Sequence, residues 1–180
     1  MSMDTLIANY HLHPIIDHFT IALLASGILA DIVGYSLSVL LARRSDRVRG
    51  LADRISAAAP VLLIPGAICS ILSRFTGERE AERVWDTISP GAQRILFSAT
   101  GFTSFFSHAI LGSYLVYVFL SLAAWRLLFE MWPRLKTAQP VYFTLAIVAL
   151  CALLYQGKTG GELVYNHGAG TIHASSASQK

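Results

Sequence analysis

Charged residues are scarce in this chain, and that scarcity excludes an ordinary water-soluble domain. Only 14% of the 180 residues are Asp, Glu, Lys or Arg, whereas soluble domains carry about 25%. Hydrophobic residues make up 54% of the chain and are concentrated in long blocks. A chain of this length is expected to form one domain. The sequence therefore predicts a membrane protein with no room for a separate catalytic domain.

Several chemical motifs are also missing. Cys69 and Cys151 have no CxxC or CxxCH context, which excludes covalent c-type haem and favours a packing role for both. Basic residues lie mainly beside apolar blocks, which indicates membrane topology and no nucleic acid partner. There is no Gly-x-Ser-x-Gly or HExxH, so no catalytic residue is predicted. The N-terminus lacks the pattern of a signal peptide, and we expect the first apolar block to remain as a helix.

Four apolar blocks predict an all-α, integral membrane four-helix bundle, since about 20 apolar residues cross the hydrocarbon core. The predicted spans cover residues 15–42, 55–75, 101–129 and 140–156. Residues 76–95 are strongly charged and predict an extramembrane excursion with a short surface helix that breaks at Ser89, Pro90 and Gly91. The Ser/Ala-rich residues 171–180 predict a disordered tail.

Basic residues in short loops set the orientation of a membrane protein. The loop after the first span and the loop after the third, counted with Arg126, Arg134 and Lys136, together hold eight Lys and Arg. The opposite side holds six. Five arginines directly follow or lie near the first span and favour the cytoplasm for that side. The prediction is a multi-pass protein of the bacterial inner (cytoplasmic) membrane, with both termini in the periplasm.

All six histidines fall at the outer ends of the predicted spans: His11, His13, His18, His108, His167 and His173. His18 and His108 have apolar neighbours and are predicted to be buried. An ionisable side chain within a span is a functional hypothesis by default, and imidazole is a common ligand of haem iron. One hypothesis is a haem b held between His18 and His108, with Arg74 and Arg94 near its propionates. Hydrogen bonds between helices explain the spacing equally well.

Two further patterns bear on function. No histidines lie 13 to 14 residues apart on one helix, a separation of about 20 Å that would allow haems on both sides of the bilayer. Any redox centre is therefore expected near the outer face. Asp31 lies deep in the first span, where either a proton pathway or a hydrogen bond to Tyr35, Ser36 or a neighbouring helix would account for it.

Several segments together resemble a known family. The opening HPIIDHFTIALL with Asp31 after it, FTG at Gly77, the isolated His108 and the closing GGELVYNHGAG are similar to the bacterial DUF2231 family of small membrane proteins, over nearly the whole chain. The resemblance maps the motif histidines onto His13, His18, His108 and His167. Asp17 departs from the family, in which that position is more usually apolar.

The resemblance implies association with periplasmic cytochromes c and dehydrogenases, and hence electron transfer. Four motif histidines suffice for one or two haem b groups, and a quinone is a further candidate. We expect a non-catalytic haem b subunit of a respiratory complex. It would carry electrons near the periplasmic face. On one side it would exchange them with a quinone or other membrane subunits, and on the other with a periplasmic cytochrome c or dehydrogenase. The bundle itself would be in contact with lipid. The alternative is a non-redox scaffold or assembly subunit whose histidines bind a metal or tie helices together.

Overall fold

The computed structural model describes residues 12–41, 45–98 and 102–170. His11, His173, Gly101 and the predicted tail at 171–180 lie outside these residues. Within them the chain forms helices and no strand. The helices are α1 (Leu12–Leu40), α2 (Asp46–Val84), α3 (Pro90–Leu96), α4 (His108–Met131) and α5 (Gln139–Tyr165), with 3-10 segments at Phe102–Phe106 and Pro133–Ala138.

Four helices within the described ranges, α1, α2, α4 and α5, are long and apolar enough to cross a membrane. The expectation of an all-α membrane four-helix bundle is confirmed. Each of these helices packs on the next one along the chain, and α5 packs back on α1. The chain therefore runs up and down the bundle, so that α1 and α4 point the same way and lie diagonally across the core.

The buried positions of the spanning helices recur at alternating intervals of three and four residues. This spacing keeps a single stripe of each helix turned towards its neighbours in a left-handed bundle. On α1 the stripe includes Thr20, Leu24, Gly27, Asp31 and Gly34. On α4 it includes Leu115, Phe119, Leu122, Arg126 and Phe129. On α5 it includes Tyr142, Ala146, Ala149, Leu153, Gln156 and Leu163.

Glycines on the α1 stripe let α1 and α2 approach closely. A Cβ atom on Gly27 would lie 3.0 Å from the backbone nitrogen of Leu63, and one on Gly34 would lie 2.8 Å from the backbone nitrogen of Ser56. Because lipid tails are as apolar as the helix surface, membrane helices associate mainly through van der Waals packing. Small residues allow the close approach that this packing requires. The α1–α2 pair is thus fixed in register at two points along its length.

The structure corrects several predicted boundaries. Helix α2 continues to Val84, so residues 76–84 of the predicted excursion belong to it. The helix is about 58 Å long, which exceeds a hydrocarbon core of about 30 Å. Ser89 caps α3 and accepts a hydrogen bond from the Ala92 N–H; with Pro90 in the first turn, this segment starts a helix. Helix α5 extends to Tyr165 because Thr159 and Leu163 continue its buried stripe.

Candidate functional site

His13 lies in the first turn of α1 and reaches across to α2. Its Nδ1 lies 3.1 Å from the carbonyl oxygen of Ser73 and 3.4 Å from the hydroxyl of Thr76. A carbonyl can only accept a hydrogen bond, so the bonding pattern assigns the proton to Nδ1 and leaves the lone pair on Nε2. The hydroxyl of Ser73 also donates to Asp17 at 2.8 Å. Ser73 therefore connects both α1 side chains to α2.

His108 is the first residue of α4 and is held by α5. The Thr159 hydroxyl donates to the carbonyl of Gln156 at 3.0 Å and lies 3.1 Å from His108 Nδ1. Since this hydroxyl has one proton, it accepts from Nδ1. The amide nitrogen of Gln156 donates to the His108 carbonyl at 2.8 Å and faces His108 Nε2 at 3.4 Å. The same tautomer follows as for His13, with the lone pair on Nε2.

Glycines make room for both imidazole rings. A Cβ atom on Gly77 of α2 would lie 2.9 Å from Cε1 of His13, and one on Gly160 of α5 would lie 2.9 Å from Cε1 of His108. Each ring thus packs directly against the backbone of the adjacent helix. This explains why glycine occurs inside α5 at position 160, beyond the predicted end of the span at residue 156.

The two histidines belong to one polar cluster at one end of the bundle. His13 lies at the start of α1 and His108 at the start of α4, which points the same way, so the α1–α2 contacts and the α4–α5 contacts lie at the same end. We call this cluster the histidine layer, and its members are His13, Asp17, Ser73, Thr76, His108, Gln156 and Thr159. Gln156 is only 8% exposed, and its Oε1 has no hydrogen-bond partner among the described residues. The layer therefore retains unused acceptor capacity.

The expectation that His18 is buried and faces His108 is wrong. His18 is exposed and its Nδ1 bonds to the Pro14 carbonyl one turn earlier on α1. Its neighbour Phe19 is 64% exposed. The 3–4 stripe of α1 passes through positions 13, 17 and 20, so position 18 falls on the face turned away from the core. His13 therefore occupies the core-facing position that was predicted for His18.

The structure separates the other proposed site residues. Arg74 bonds to Glu78 at 2.9 Å and to the hydroxyl of Tyr117 at 3.2 Å, so its guanidinium is engaged on the outer surface of the bundle. Arg94 lines a cavity beside α5. His167 lies in the turn after α5, half-buried, and no contact within the described ranges joins it to the histidine layer. Gly168 and Gly170 in that turn have positive φ angles of 67° and 71°, which glycine adopts readily.

A second polar cluster, which we call the arginine layer, was missed. Arg126 is 6% exposed and Asp31 is 4% exposed. The Arg126 Nε–H is shared between the two carboxylate oxygens of Asp31 at 2.9 and 3.0 Å, and the Tyr142 hydroxyl donates to Asp31 at 2.9 Å. The remaining nitrogens of Arg126 donate to Glu130 at 2.6 Å and to the Ser56 carbonyl at 3.1 Å. Four helices thus meet at the Arg126–Asp31 ion pair.

This cluster changes two interpretations of the sequence. Arg126 belongs to the interior of α4 and not to a loop, so the predicted charge bias loses one of its eight residues. Asp31 bonds to neighbouring helices, which confirms that alternative over bonds to Tyr35 or Ser36. The signal was present in the sequence, because Arg126 continues the 3–4 stripe that runs through Phe119 and Leu122.

The two layers lie at opposite ends of the core. Asp31 follows His13 by 18 residues, Arg126 follows His108 by 18 and Gly160 follows Tyr142 by 18. At 1.5 Å per residue this separation is about 27 Å, close to the hydrocarbon thickness of about 30 Å. The described side chains between the layers are mostly apolar. The polar chemistry therefore sits near the two membrane boundaries.

Comparison with protein families matches residues 10–173 to the family described as a predicted membrane protein, DUF2231. The chain belongs to the DUF2231 family. Comparisons with curated proteins and with solved structures gave no match. The four membrane-length helices of this DUF2231 chain agree with the family's description as a membrane protein.

The histidine layer contains two imidazoles that could hold the iron of a haem. Among the described residues, no three His, Cys, Asp or Glu side chains lie together as a metal site. A haem needs only two protein ligands, and His13 and His108 each have Nδ1 held by a protein oxygen with the lone pair on Nε2. This arrangement is usual for ligating histidines, whose second nitrogen donates to a carbonyl or similar group. The unpartnered Gln156 oxygen adds an acceptor beside His108.

Proposed function

We propose that this protein is a haem b subunit of a membrane redox complex, with His13 and His108 as the haem ligands. The observation that carries the proposal is the pair of core-facing imidazoles on α1 and α4, both in the tautomer that presents Nε2. Bound haem supplies a one-electron carrier. The chain's own residues fix the ring orientations through Ser73 and Thr159, and the surrounding helices exclude water from the core.

The proposed site of electron exchange is the periplasmic face of a bacterial inner membrane. Arg47, Arg49 and Arg54 lie near the start of α2, at the same end of the bundle as the arginine layer, and basic residues favour the cytoplasmic side. The histidine layer then faces the periplasm, as do both termini. A periplasmic cytochrome c or dehydrogenase is the proposed partner, and the 27 Å of apolar core argues against conduction across the membrane within this subunit.

A reduced-minus-oxidised optical spectrum of the purified full-length chain, expressed with a haem supply, tests the proposal. We expect b-type bands in the wild type and in His18→Ala, and their loss in His13→Ala and His108→Ala. The His18 variant is the matched control because that residue is exposed. A colourless wild type, or bands that survive in both His13→Ala and His108→Ala, would contradict the proposal.

A second pair of variants separates ligand loss from misfolding. Methionine also ligates haem iron and raises its reduction potential. His13→Met and His108→Met are therefore expected to retain haem with a higher midpoint potential. If histidine acts only through hydrogen bonds between helices, methionine replaces it no better than alanine does. That outcome would favour the scaffold function, which draws its support from the bonds that join α1 to α2 and α4 to α5.

A further inference from the structure

A cavity of about 300 Å³ opens beside the histidine layer. It lies between α3, the 3-10 segment Phe102–Phe106 and the last turns of α5. Its lining combines apolar, aromatic, hydroxyl and charged side chains: Arg94, Ile95, Ser98, Phe106, Ser107, Tyr155, Thr159 and Glu162. Ligand pockets range from about 300 to 1,000 Å³. The volume suits one substituted ring and is too small for a nucleotide.

The charges in the lining favour a neutral ligand. Arg94 and Glu162 carry opposite charges, and no ion pair is found between either side chain and another described residue. Glu162 disfavours an anion in the cavity and Arg94 disfavours a cation. A neutral ring with polar oxygens satisfies both, because Arg94 donates to a carbonyl oxygen and Glu162 accepts from a hydroxyl.

The aromatic wall points to a ligand that arrives from lipid. Phe106 and Tyr155 meet edge to face with ring centroids 6.2 Å apart. Both side chains are also partly exposed on the outside of the bundle, at 49% and 40%. A hydrophobic tail attached to a bound ring can therefore leave the cavity along these aromatic side chains into the bilayer. A water-soluble ligand would gain nothing from this exit.

Thr159 connects the cavity to His108. Its hydroxyl lines the cavity and also accepts the hydrogen bond from His108 Nδ1 at 3.1 Å. A ligand oxygen at this wall is therefore one side chain away from the imidazole. We infer that the cavity binds the headgroup of a membrane quinone or quinol between Arg94 and Glu162, next to His108. The purpose of this binding rests on the proposed redox function, whereas the binding itself rests on the cavity.

Titration of a benzoquinone with a ten-carbon tail into the full-length chain in lipid nanodiscs tests the inference, with calorimetry as the readout. Arg94→Gln removes a charged donor, for which we expect an affinity about tenfold weaker, the equivalent of about 1.4 kcal/mol. Lys158→Gln is the matched control, because it neutralises an exposed cation on α5 outside the cavity. Its affinity is expected to stay within about twofold of the wild type.

Ser98→Trp fills the cavity and is expected to abolish saturable binding while the helical circular dichroism stays unchanged. Binding that persists in Ser98→Trp, or equal losses in Arg94→Gln and Lys158→Gln, would overturn the inference. The same titration in haem-free His13→Ala keeps the two proposals apart. If this variant binds quinone and the wild type shows no haem bands, the results support quinone binding in the cavity and contradict only the haem proposal. Haem bands without quinone binding would do the reverse.

Discussion

Replacing Arg126 by methionine tests the role of the arginine layer. Methionine keeps much of the length of the side chain but removes the hydrogen bonds to Asp31, Ser56 and Glu130. Asp31 would then be a buried carboxylate that keeps, among the described residues, the side-chain bond from Tyr142. Removing one partner of a buried ion pair costs about 3 to 5 kcal/mol. Because Asp31 keeps the Tyr142 bond, we expect a loss near the lower end, about 3 kcal/mol.

Two comparisons isolate the buried pair. Glu130 is bonded to the same guanidinium, but its side chain is 55% exposed; Glu130→Gln is expected to cost at most about 1 kcal/mol, as for other surface pairs. The double variant Asp31→Asn with Arg126→Met removes both buried charges. Its loss of unfolding free energy is expected to be about 2 kcal/mol smaller than the sum of the losses in the two single variants, within the range measured for coupled neighbours.

The measurement is unfolding in mixed micelles with increasing sodium dodecyl sulfate, followed by tryptophan fluorescence. Trp125 is a suitable reporter because its ring lies 6.0 Å from that of Tyr142. If Arg126→Met costs no more than Glu130→Gln, or if the double variant shows simple additivity, the ion pair does not hold the four helices together. The reasoning from burial would then be refuted.

Two glycine substitutions give further predictions, each with a neighbouring control. Gly34→Ala should destabilise the bundle by about 1 to 3 kcal/mol in the same unfolding assay, because its Cβ meets the facing backbone of α2. Gly50→Ala, with nothing within 4 Å, should stabilise it by up to about 1 kcal/mol; equal effects would contradict the packing. Gly160→Ala should shift the His108 imidazole resonances in a nitrogen-15 NMR spectrum, whereas Gly161→Ala should leave them in place. Identical spectra for both would mean that the close ring contact is absent.

The sequence predicts the bundle well because length and hydropathy suffice to identify membrane spans. It predicts the site less well, because hydropathy cannot tell which face of a membrane helix is buried. Lipid and core are both apolar, so the apolar neighbours of His18 suggested burial where the side chain is exposed. Small residues mark the interior more reliably. Gly27 and Gly34 share a stripe with His13, and that spacing would have selected His13 over His18.

Other features of the site depend on how the helices are rotated and aligned, which no single helix encodes. The pairing of His108 with Thr159 and Gln156 requires the end of α5 to lie beside the start of α4. The predicted span ends at residue 156, and Gly160 and Gly161 lie beyond it; glycine usually weakens a helix. In the bundle, contact with the His108 ring explains Gly160, and the buried stripe on both sides of it keeps the helix continuous.

The two polar layers differ in how completely their hydrogen-bonding groups are used, and this difference assigns their roles. In the arginine layer, each guanidinium nitrogen has an acceptor, and Asp31 accepts from two helices. Because every nitrogen of this guanidinium is bonded within the bundle, the cluster serves to fix the helices in register. In the histidine layer, Gln156 retains an unpartnered oxygen, and both imidazoles keep the lone pair on Nε2, where that of His108 faces the Gln156 amide nitrogen at 3.4 Å. A buried acceptor without a donor costs free energy, and this feature supports the binding proposed at this end of the bundle.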